Sequence, residues 1–145
     1  SHADVIRGEN TEDVYNQGIL TATLPETWIP ETRLRIEAFR KIALANSLDE
    51  LKEIREQLLD RYGRLPAEAD ALLKIAEIRC LAEIKGVTSI TTEDATLRCK
   101  QLIPGGKTEL ILIGNRFPRL TAREPLRKLT EIRHFLSRLS SPSSP

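Results

Sequence analysis

Residues 58–73, "LLDRYGRLPAEADALL", determine how the first half of the chain folds. Apolar residues recur at helical spacing on both sides of a short break that contains Gly63 and Pro66. Glycine ends many helices because it adopts positive φ at little cost, and proline suits the first turn of a helix. The stretch therefore predicts two helices joined by a tight turn. Such a pair can read DNA, form an internal joint of a fold, or present a surface to another protein.

The helix after this turn begins with acidic side chains at Glu68 and Asp70. In a DNA-reading hairpin this end would approach the phosphates, which would repel both carboxylates. The same helix is apolar on more than one side, a pattern that is typical of burial on more than one side. We therefore expect it to lie between the preceding helices and a sheet, and not in a DNA groove.

The neighbouring helices have their own start and stop signals. Pro30 suits the first position of the first helix, and Ser47 forms a capping box with Glu50 at the start of the second. The third helix, which begins near the proline of the break, is expected to end at Gly86. Apolar residues at helical spacing predict a last helix over residues 125–139.

Short β-prone runs occupy the region between the third and last helices, at residues 87–92, 96–103 and 108–114. The sequences "EDA" and "PGG" supply the turns between them. Two tight connections in succession imply an antiparallel meander. The predicted fold class is α+β, with a three-helix N-terminal part, a small three-stranded antiparallel sheet and a closing C-terminal helix.

Composition agrees with a single globular domain. The chain has 145 residues, of which 40% are hydrophobic and 30% charged, and its net charge of +1 implies no general attraction to nucleic acid or membranes. No apolar run is long enough to span a bilayer, and Cys80 and Cys99 lack the spacing of zinc ligands. We expect a cytoplasmic protein with reduced thiols and no metal site.

One short motif imitates a phosphate-binding loop. "GGKT", residues 105–108, resembles the end of a P-loop, but that loop needs a further glycine where this chain has Gln101. The sequence that follows is β-prone, so no helix N-terminus would face a phosphate. A hairpin turn is the better interpretation. His134 lies in a basic helix, and we predict no catalytic residue and no cofactor site.

Three stretches together resemble the C-terminal domain of the bacterial transcription-repair coupling factors, the Mfd family. They are "LPETWIPETRLRIEAFRKIA", "LDELKEIREQLLDRYGRLPAEADALLKIAEIR" and "KGVTSI". The resemblance covers residues 20–139, which would form this domain. It implies that residues 1–19 are a flexible linker from a preceding motor domain. The Ser/Pro-rich residues 140–145 are expected to be a disordered tail.

The resemblance also implies a function. Members of the family are large ATP-driven translocases on double-stranded DNA that remove stalled RNA polymerase and recruit the excision-repair damage sensor UvrA. ATP and Mg belong to the motor, and the C-terminal domain is not the motor. It docks on the N-terminal UvrA-binding region of the same protein, masks that surface and restrains the motor. The domain by itself is expected to be a monomer and not an enzyme.

The polar face of the second helix is the predicted docking surface, because a masking interface that must release should be polar. The residues on this face are Glu53, Glu56, Gln57, Asp60 and Arg61. The resemblance implies acidic contacts from this region to basic residues of the masked domain. Asp60 fits that role, whereas Gln57 stands where an acid would be the stronger partner.

Two other functions stay open at the level of sequence. The first is a nucleic-acid-binding module that uses the basic residues near the end of the chain. Those residues are Arg123, Arg127, Lys128, Arg133 and Arg138. The second is an oligomerisation domain that uses exposed apolar surface.

Overall fold

The computed structural model describes residues 4–5 and 24–141, and the four predicted helices are present in it. They are α1 (Thr32–Leu44), α2 (Leu48–Tyr62), α3 (Ala67–Ile84) and α4 (Pro125–Arg138). Residues 1–3 and 6–19 of the predicted linker and residues 142–145 of the predicted tail lie outside the described residues.

The described strands form one antiparallel sheet in the order β1-β2-β3-β4. They are β1 (Asp4–Val5), β2 (Val87–Glu93), β3 (Thr96–Ile103) and β4 (Lys107–Leu110). The predicted meander is β2-β3-β4, and the α+β fold class is confirmed. The two residues of β1 add a short strand beside β2, with Asp4 opposite Thr92, inside the stretch that was predicted as a linker.

The opening stretch forms the predicted helix–turn–helix between α2 and α3. The Ser47 hydroxyl accepts a hydrogen bond from the Glu50 N–H at 3.1 Å, so the cap at the start of α2 is confirmed. The Glu50 carboxylate reaches back to the N–H of Asn46, at 3.0 Å, and not to that of Ser47. Gly63 ends α2 with φ 80° and ψ −155°. Its positive φ was expected, but its ψ is extended rather than left-handed helical, which directs the chain straight into the turn towards α3.

Helix α3 is buried on two sides, as its sequence predicted, and separates two hydrophobic cores. The helix core consists of Leu24, Ile29, Ala38, Ile42, Ala45, Leu51, Ile54, Leu58, Ala69, Leu72, Leu73, Ala76 and Cys80. The sheet core consists of Ala71, Ile75, Ile78, Leu81, Ala82, Val87, Ile90, Leu97, Cys99, Leu120, Leu129, Ile132 and Leu136. Both lists draw heavily on α3, so neither core is complete without it.

Strand β4 is shorter than the predicted run of residues 108–114. The Ile111 N–H still donates to the Cys99 carbonyl oxygen at 2.9 Å, but the chain then leaves the sheet. Ile113 and Arg116 pair with each other across a two-residue turn. The start of β3 does not pair with residues 112–114, because the Leu97 N–H donates to the carbonyl oxygen of Pro118, further along the chain.

A chain of ion pairs runs along the solvent side of α3 and joins it to two other helices. Asp70 lies 2.7 Å from the Lys74 amine and 3.6 Å from the Arg55 guanidinium of α2. Glu77 lies 3.8 Å from the same Arg55 and 2.6 Å from the guanidinium of Arg133 of α4. The carboxylates of Asp70 and Glu77 are therefore paired with cations from three helices.

Candidate protein-interaction surface

The outward side of α2 carries a line of carboxylates, which we call the acidic stripe. It consists of Asp49, Glu53, Glu56 and Asp60. Their spacing of four, three and four residues places them above one another on one face of an α-helix. Leu51, Ile54 and Leu58 occupy the opposite face and are buried in the helix core. The amphipathic pattern of α2 therefore turns all four acids towards solvent.

The acidic stripe is unpaired in the part of the domain that the structure describes. All four residues are exposed, and none makes an ion pair or a side-chain hydrogen bond within the part of the chain that the structure describes. Like charges at this spacing destabilise a helix by about 0.2–0.5 kcal/mol per pair. The helix dipole offsets part of this cost for Asp49, which lies in the first turn. The remaining repulsion would be relieved by a basic partner.

Gln57 and Arg61 lie beside the stripe, at the edge of a shallow groove between α1 and α2. Glu37 and Lys41 of α1 line the same groove. The Arg61 guanidinium lies 5.3 Å from the centre of the Tyr62 ring, a cation–π distance. These two residues therefore give the acidic stripe a mixed polar border and do not extend its negative charge.

The end of α2 is held in place by the only tryptophan of the chain. The Trp28 indole N–H donates to the Tyr62 carbonyl oxygen at 3.1 Å. The two rings meet edge to face, with their centres 5.6 Å apart. This contact fixes the last turn of α2, and with it the position of Asp60.

The structure brings together the five residues predicted for the docking surface, and all of them are exposed. Their role in docking stays a prediction. Sequence reasoning missed Asp49, although the spacing from Asp49 to Glu53 is the same as that from Glu56 to Asp60. Counting acids in steps of three and four from Asp60 back to the cap would have found it.

The alternative basic surface is divided by the fold. Arg133 forms the 2.6 Å contact with Glu77, and Arg127 lies 3.9 Å from Glu124. Arg123 and Arg138 are exposed and make no ion pair among the described residues. By helix geometry, Arg127 and Arg138 lie on one side of α4, whereas Lys128 and Arg133 point to either flank. A partner could therefore not contact all five at once.

The described residues contain few groups suited to chemistry. No cluster of His, Cys, Asp and Glu within them could hold a metal ion. Cys80 and Cys99 are free and buried, and burial raises the pKa of the Cys99 thiol to about 12. Among the residues searched, no helix is both long enough and apolar enough to cross a membrane.

The order of elements, the joint at Gly63 and the exposed face of α2 can be compared with known proteins. The sequence profile of the TRCF domain family matches residues 19–102, more than half of the chain. The chain belongs to the TRCF domain family. The matched range contains α1, α2, α3 and β2, and so includes the acidic stripe of this TRCF domain. Strand β4 and α4 lie beyond it.

Curated relatives carry the same family name. The transcription-repair-coupling factor of Mycobacterium bovis is 32% identical to the TRCF domain over 111 residues, which cover 67% of the chain. That of Escherichia coli is 37% identical over 71 residues, which cover 49% of the chain. These matches cover 9% and 6% of the two relatives, so the chain spans less than a tenth of their length.

A solved structure has a similar fold. The crystal structure of the C-terminal domain of transcription-repair coupling factor superposes with a TM-score of 0.54 and 19% sequence identity. The superposition covers 81% of this chain and 90% of that structure. At this level of identity the likeness concerns the fold.

Proposed function

We propose that this TRCF domain is a non-catalytic regulatory module that docks through the acidic stripe of α2 on a basic surface of its parent protein. The observation that carries the proposal is the stripe itself, a line of exposed carboxylates that make no ion pair among the described residues. Apart from the helix-dipole contribution of Asp49, such a line does not stabilise the fold, because its members repel one another. A basic partner domain turns the same line into a binding surface.

The family resemblance suggests what this docking does. The parent would be an ATP-dependent translocase on double-stranded DNA, with ATP and Mg in its motor, acting in the cytoplasm on stalled RNA polymerase. Docking of the TRCF domain on the N-terminal UvrA-binding region would hide that region and restrain the motor. Release after engagement of RNA polymerase would then expose the region to UvrA and connect transcription to nucleotide excision repair.

The strength of the stripe suits a contact that must open. Each exposed ion pair contributes about 0–1 kcal/mol, because water competes well for both partners. Several pairs together reach the 1–3 kcal/mol that is typical of coupling between two sites, roughly a 5–150-fold change in affinity. Both surfaces are polar, so both can face water after release.

The test is charge reversal on the stripe in the full-length parent. Glu56→Arg with Asp60→Arg should expose the UvrA-binding region, so that UvrA binds about 5–150-fold more tightly and basal ATPase activity rises. Pull-down affinity for UvrA and ATPase rate without RNA polymerase measure the two effects. Reversal of Glu83 and Glu109, two exposed acids outside α2, makes a matched control and should change neither value.

Two results would contradict the proposal. If the stripe variant behaves like the control while deletion of residues 20–145 activates the parent, the domain is regulatory but uses another surface. If that deletion also leaves both values unchanged, the domain is not autoinhibitory. A nucleic-acid-binding module would instead bind a DNA duplex with an affinity that falls steeply with salt. An oligomerisation domain would show a sedimentation coefficient that rises with protein concentration.

A further inference from the structure

A second surface lies on the other side of α3, where α4 faces the turn that joins Ile113 to Arg116. The two elements enclose a groove of about 630 Å³. Buried Leu97 and Leu120 contribute to its floor from the sheet core. The groove is separate from the acidic stripe, because α4 and α2 pack against different cores.

Arginines and a histidine surround this groove. Arg119, His134 and Arg138 line it, and all three are exposed. Neither arginine makes an ion pair among the described residues, in contrast to Arg133 on the same helix, which contacts Glu77. The fold has therefore paired Arg133 and left Arg119 and Arg138 at the groove without an ion pair.

Among the described residues that line the groove, the one carboxylate is already engaged by the fold. Both oxygens of Glu131 accept hydrogen bonds from the loop before α4, from the N–H and hydroxyl of Thr121 and from the N–H of Ala122. These bonds, first of all that from the Thr121 N–H, lower the pKa of Glu131. Glu131 thus holds the loop in place and makes no ion pair with either arginine, so its single negative charge stands against the two positive charges of Arg119 and Arg138.

Apolar side chains form the walls of the groove. Ile113 is 61% exposed, although isoleucine is normally a core residue. It precedes Gly114 and Asn115, whose φ values of 59° and 64° make the tight turn that projects it. Phe135 of α4 faces the groove from the other side and is half-buried. The combination of apolar walls with unpaired cations differs from a purely electrostatic surface.

We propose that this groove binds an acidic amphipathic segment of a partner protein. An apolar side chain of the segment enters between Ile113 and Phe135, and flanking carboxylates reach Arg119 and Arg138. Charge complementarity selects an acidic ligand, and the apolar walls select a peptide over a nucleic acid. A phosphate backbone would use the cations but would leave Ile113 exposed, whereas a peptide removes its apolar surface from water.

The proposal can be tested with the whole chain and a defined probe. The probe is a fluorescein-labelled peptide that repeats the motif Glu-Asp-Leu-Phe, and fluorescence anisotropy measures its binding. Peptides with Lys for each acid, or with Ser for each Leu and Phe, should bind at least about tenfold more weakly, because each lacks one of the two components. A random-sequence DNA duplex serves as the competing ligand.

Three variants assign the binding to the groove. Arg119→Glu with Arg138→Glu should raise the Kd of the acidic peptide about tenfold or more, since two attractions become repulsions. Ile113→Ser should raise it about three- to tenfold through lost apolar burial, and this exposed site carries little risk of unfolding. Lys100→Glu with Lys107→Glu makes the same charge change on exposed strand residues and should leave Kd within about twofold.

Several outcomes would overturn the proposal. One is no saturable binding of the acidic peptide, and another is an equal loss in the Lys100 and Lys107 control. A third is tighter binding of the duplex that Ile113→Ser does not affect, which would make the groove part of a nucleic-acid surface. A fourth is a self-associated species in sedimentation that only the Arg119 and Arg138 variant dissociates, which would assign the groove to a second copy.

Discussion

The helical half of this domain (α1 and α2) and the sheet half (β2–β4 and α4) share α3 but differ in how they use charge. In the helical half the acidic stripe of α2 has no partner among the described residues. In the sheet half Arg133 is paired with Glu77 of α3, and Glu131 is hydrogen-bonded to the loop before α4. Charges of similar appearance in the sequence thus serve the fold at some positions and make no ion pair at others, and both kinds occur in each half.

The difference teaches which charges to examine for function. An ionic side chain with several internal partners is explained by the fold, and replacing it mainly changes stability. A charged side chain that is exposed and unpaired is not explained in this way. Unpaired charges that also share one face or groove occur in the acidic stripe of the helical half and, as Arg119 and Arg138, in the sheet half, and these are the two candidate interfaces that we propose.

The largest expected effect tests whether the two halves fold as one unit. Leu73 lies in the helix core and Ile78 in the sheet core, and both are 0% exposed. Replacement of either by alanine should lower the free energy of unfolding by about 2–5 kcal/mol, through lost burial and a residual cavity. Because α3 carries both residues, each variant should still unfold in one transition.

Urea unfolding followed by two probes measures the free energy of unfolding and shows whether there is one transition or two. Trp28 fluorescence reports on the helical half, through its contact with Tyr62, and far-UV circular dichroism reports on all elements. A second transition that appears in circular dichroism but not in Trp28 fluorescence of Ile78→Ala would show that the halves unfold separately.

The next effect concerns the ion pairs that join the halves. Glu77→Ala leaves the guanidinium groups of Arg55 and Arg133 without this carboxylate, and we expect a loss of about 1.5–3 kcal/mol in the free energy of unfolding. Glu83→Ala on the same helix is the control and should stay within about 0.5 kcal/mol, since Glu83 is exposed. If urea titrations gave the same free energy of unfolding for both variants, the ion pairs of Glu77 would contribute nothing to stability.

A smaller effect is expected at the joint between α2 and α3. Gly63 has φ 80° and ψ −155°, a region that is almost restricted to glycine. No atom lies within 4 Å of the position that a Cβ would occupy, so the cost of Gly63→Ala is conformational and not steric. We expect Gly63→Ala to lower the free energy of unfolding by about 1–2 kcal/mol. Thermal unfolding measures it, and a neutral result would show that the turn relaxes into another conformation.

The smallest effect is the pH dependence that Glu131 contributes. Its pKa is lowered in the folded state, chiefly by the hydrogen bond from the Thr121 N–H. The stabilisation is therefore present above the ordinary carboxyl pKa of about 4.3 and is lost as the pH falls through the lowered value. Glu131→Gln should lower Tm at neutral pH by about 2–4 °C, and should have a flatter Tm profile in acid. A profile parallel to that of the wild type would contradict this role.

The elements were largely predictable because their signals are local. Ser47 with Glu50 marked the start of α2, Gly63 marked its end, and the apolar residues on both sides of α3 predicted its burial between two layers. The end of β4 was not predictable from local preference. The run after Leu110 remains β-prone, but β3 is already paired with Pro118 at that point, and only the folded chain shows this.

The candidate interfaces were predictable to different degrees. The face of α2 followed from helical periodicity, although Asp49 was overlooked. The sequence predicted a place for Arg133 on a basic surface. Its contact with Glu77 was not predictable from local sequence, since the two residues are 56 positions apart. A signal was nevertheless present in α3, where Asp70, Lys74 and Glu77 form a charged line along a largely apolar helix. Such a line predicts ionic partners from neighbouring helices.

Because α3 lies between the two cores, we expect that neither half of the domain can be separated from the other by gene rearrangement and still fold. A truncation that kept α3 with only the helical half would leave Ile75 and Ile78 uncovered. One that kept α3 with only the sheet half would leave Leu72 and Leu73 uncovered. Either product would expose a hydrophobic strip the length of a helix and would be prone to aggregate. The two candidate interfaces would therefore be transferred together when the domain is moved to another protein, even though they face different partners.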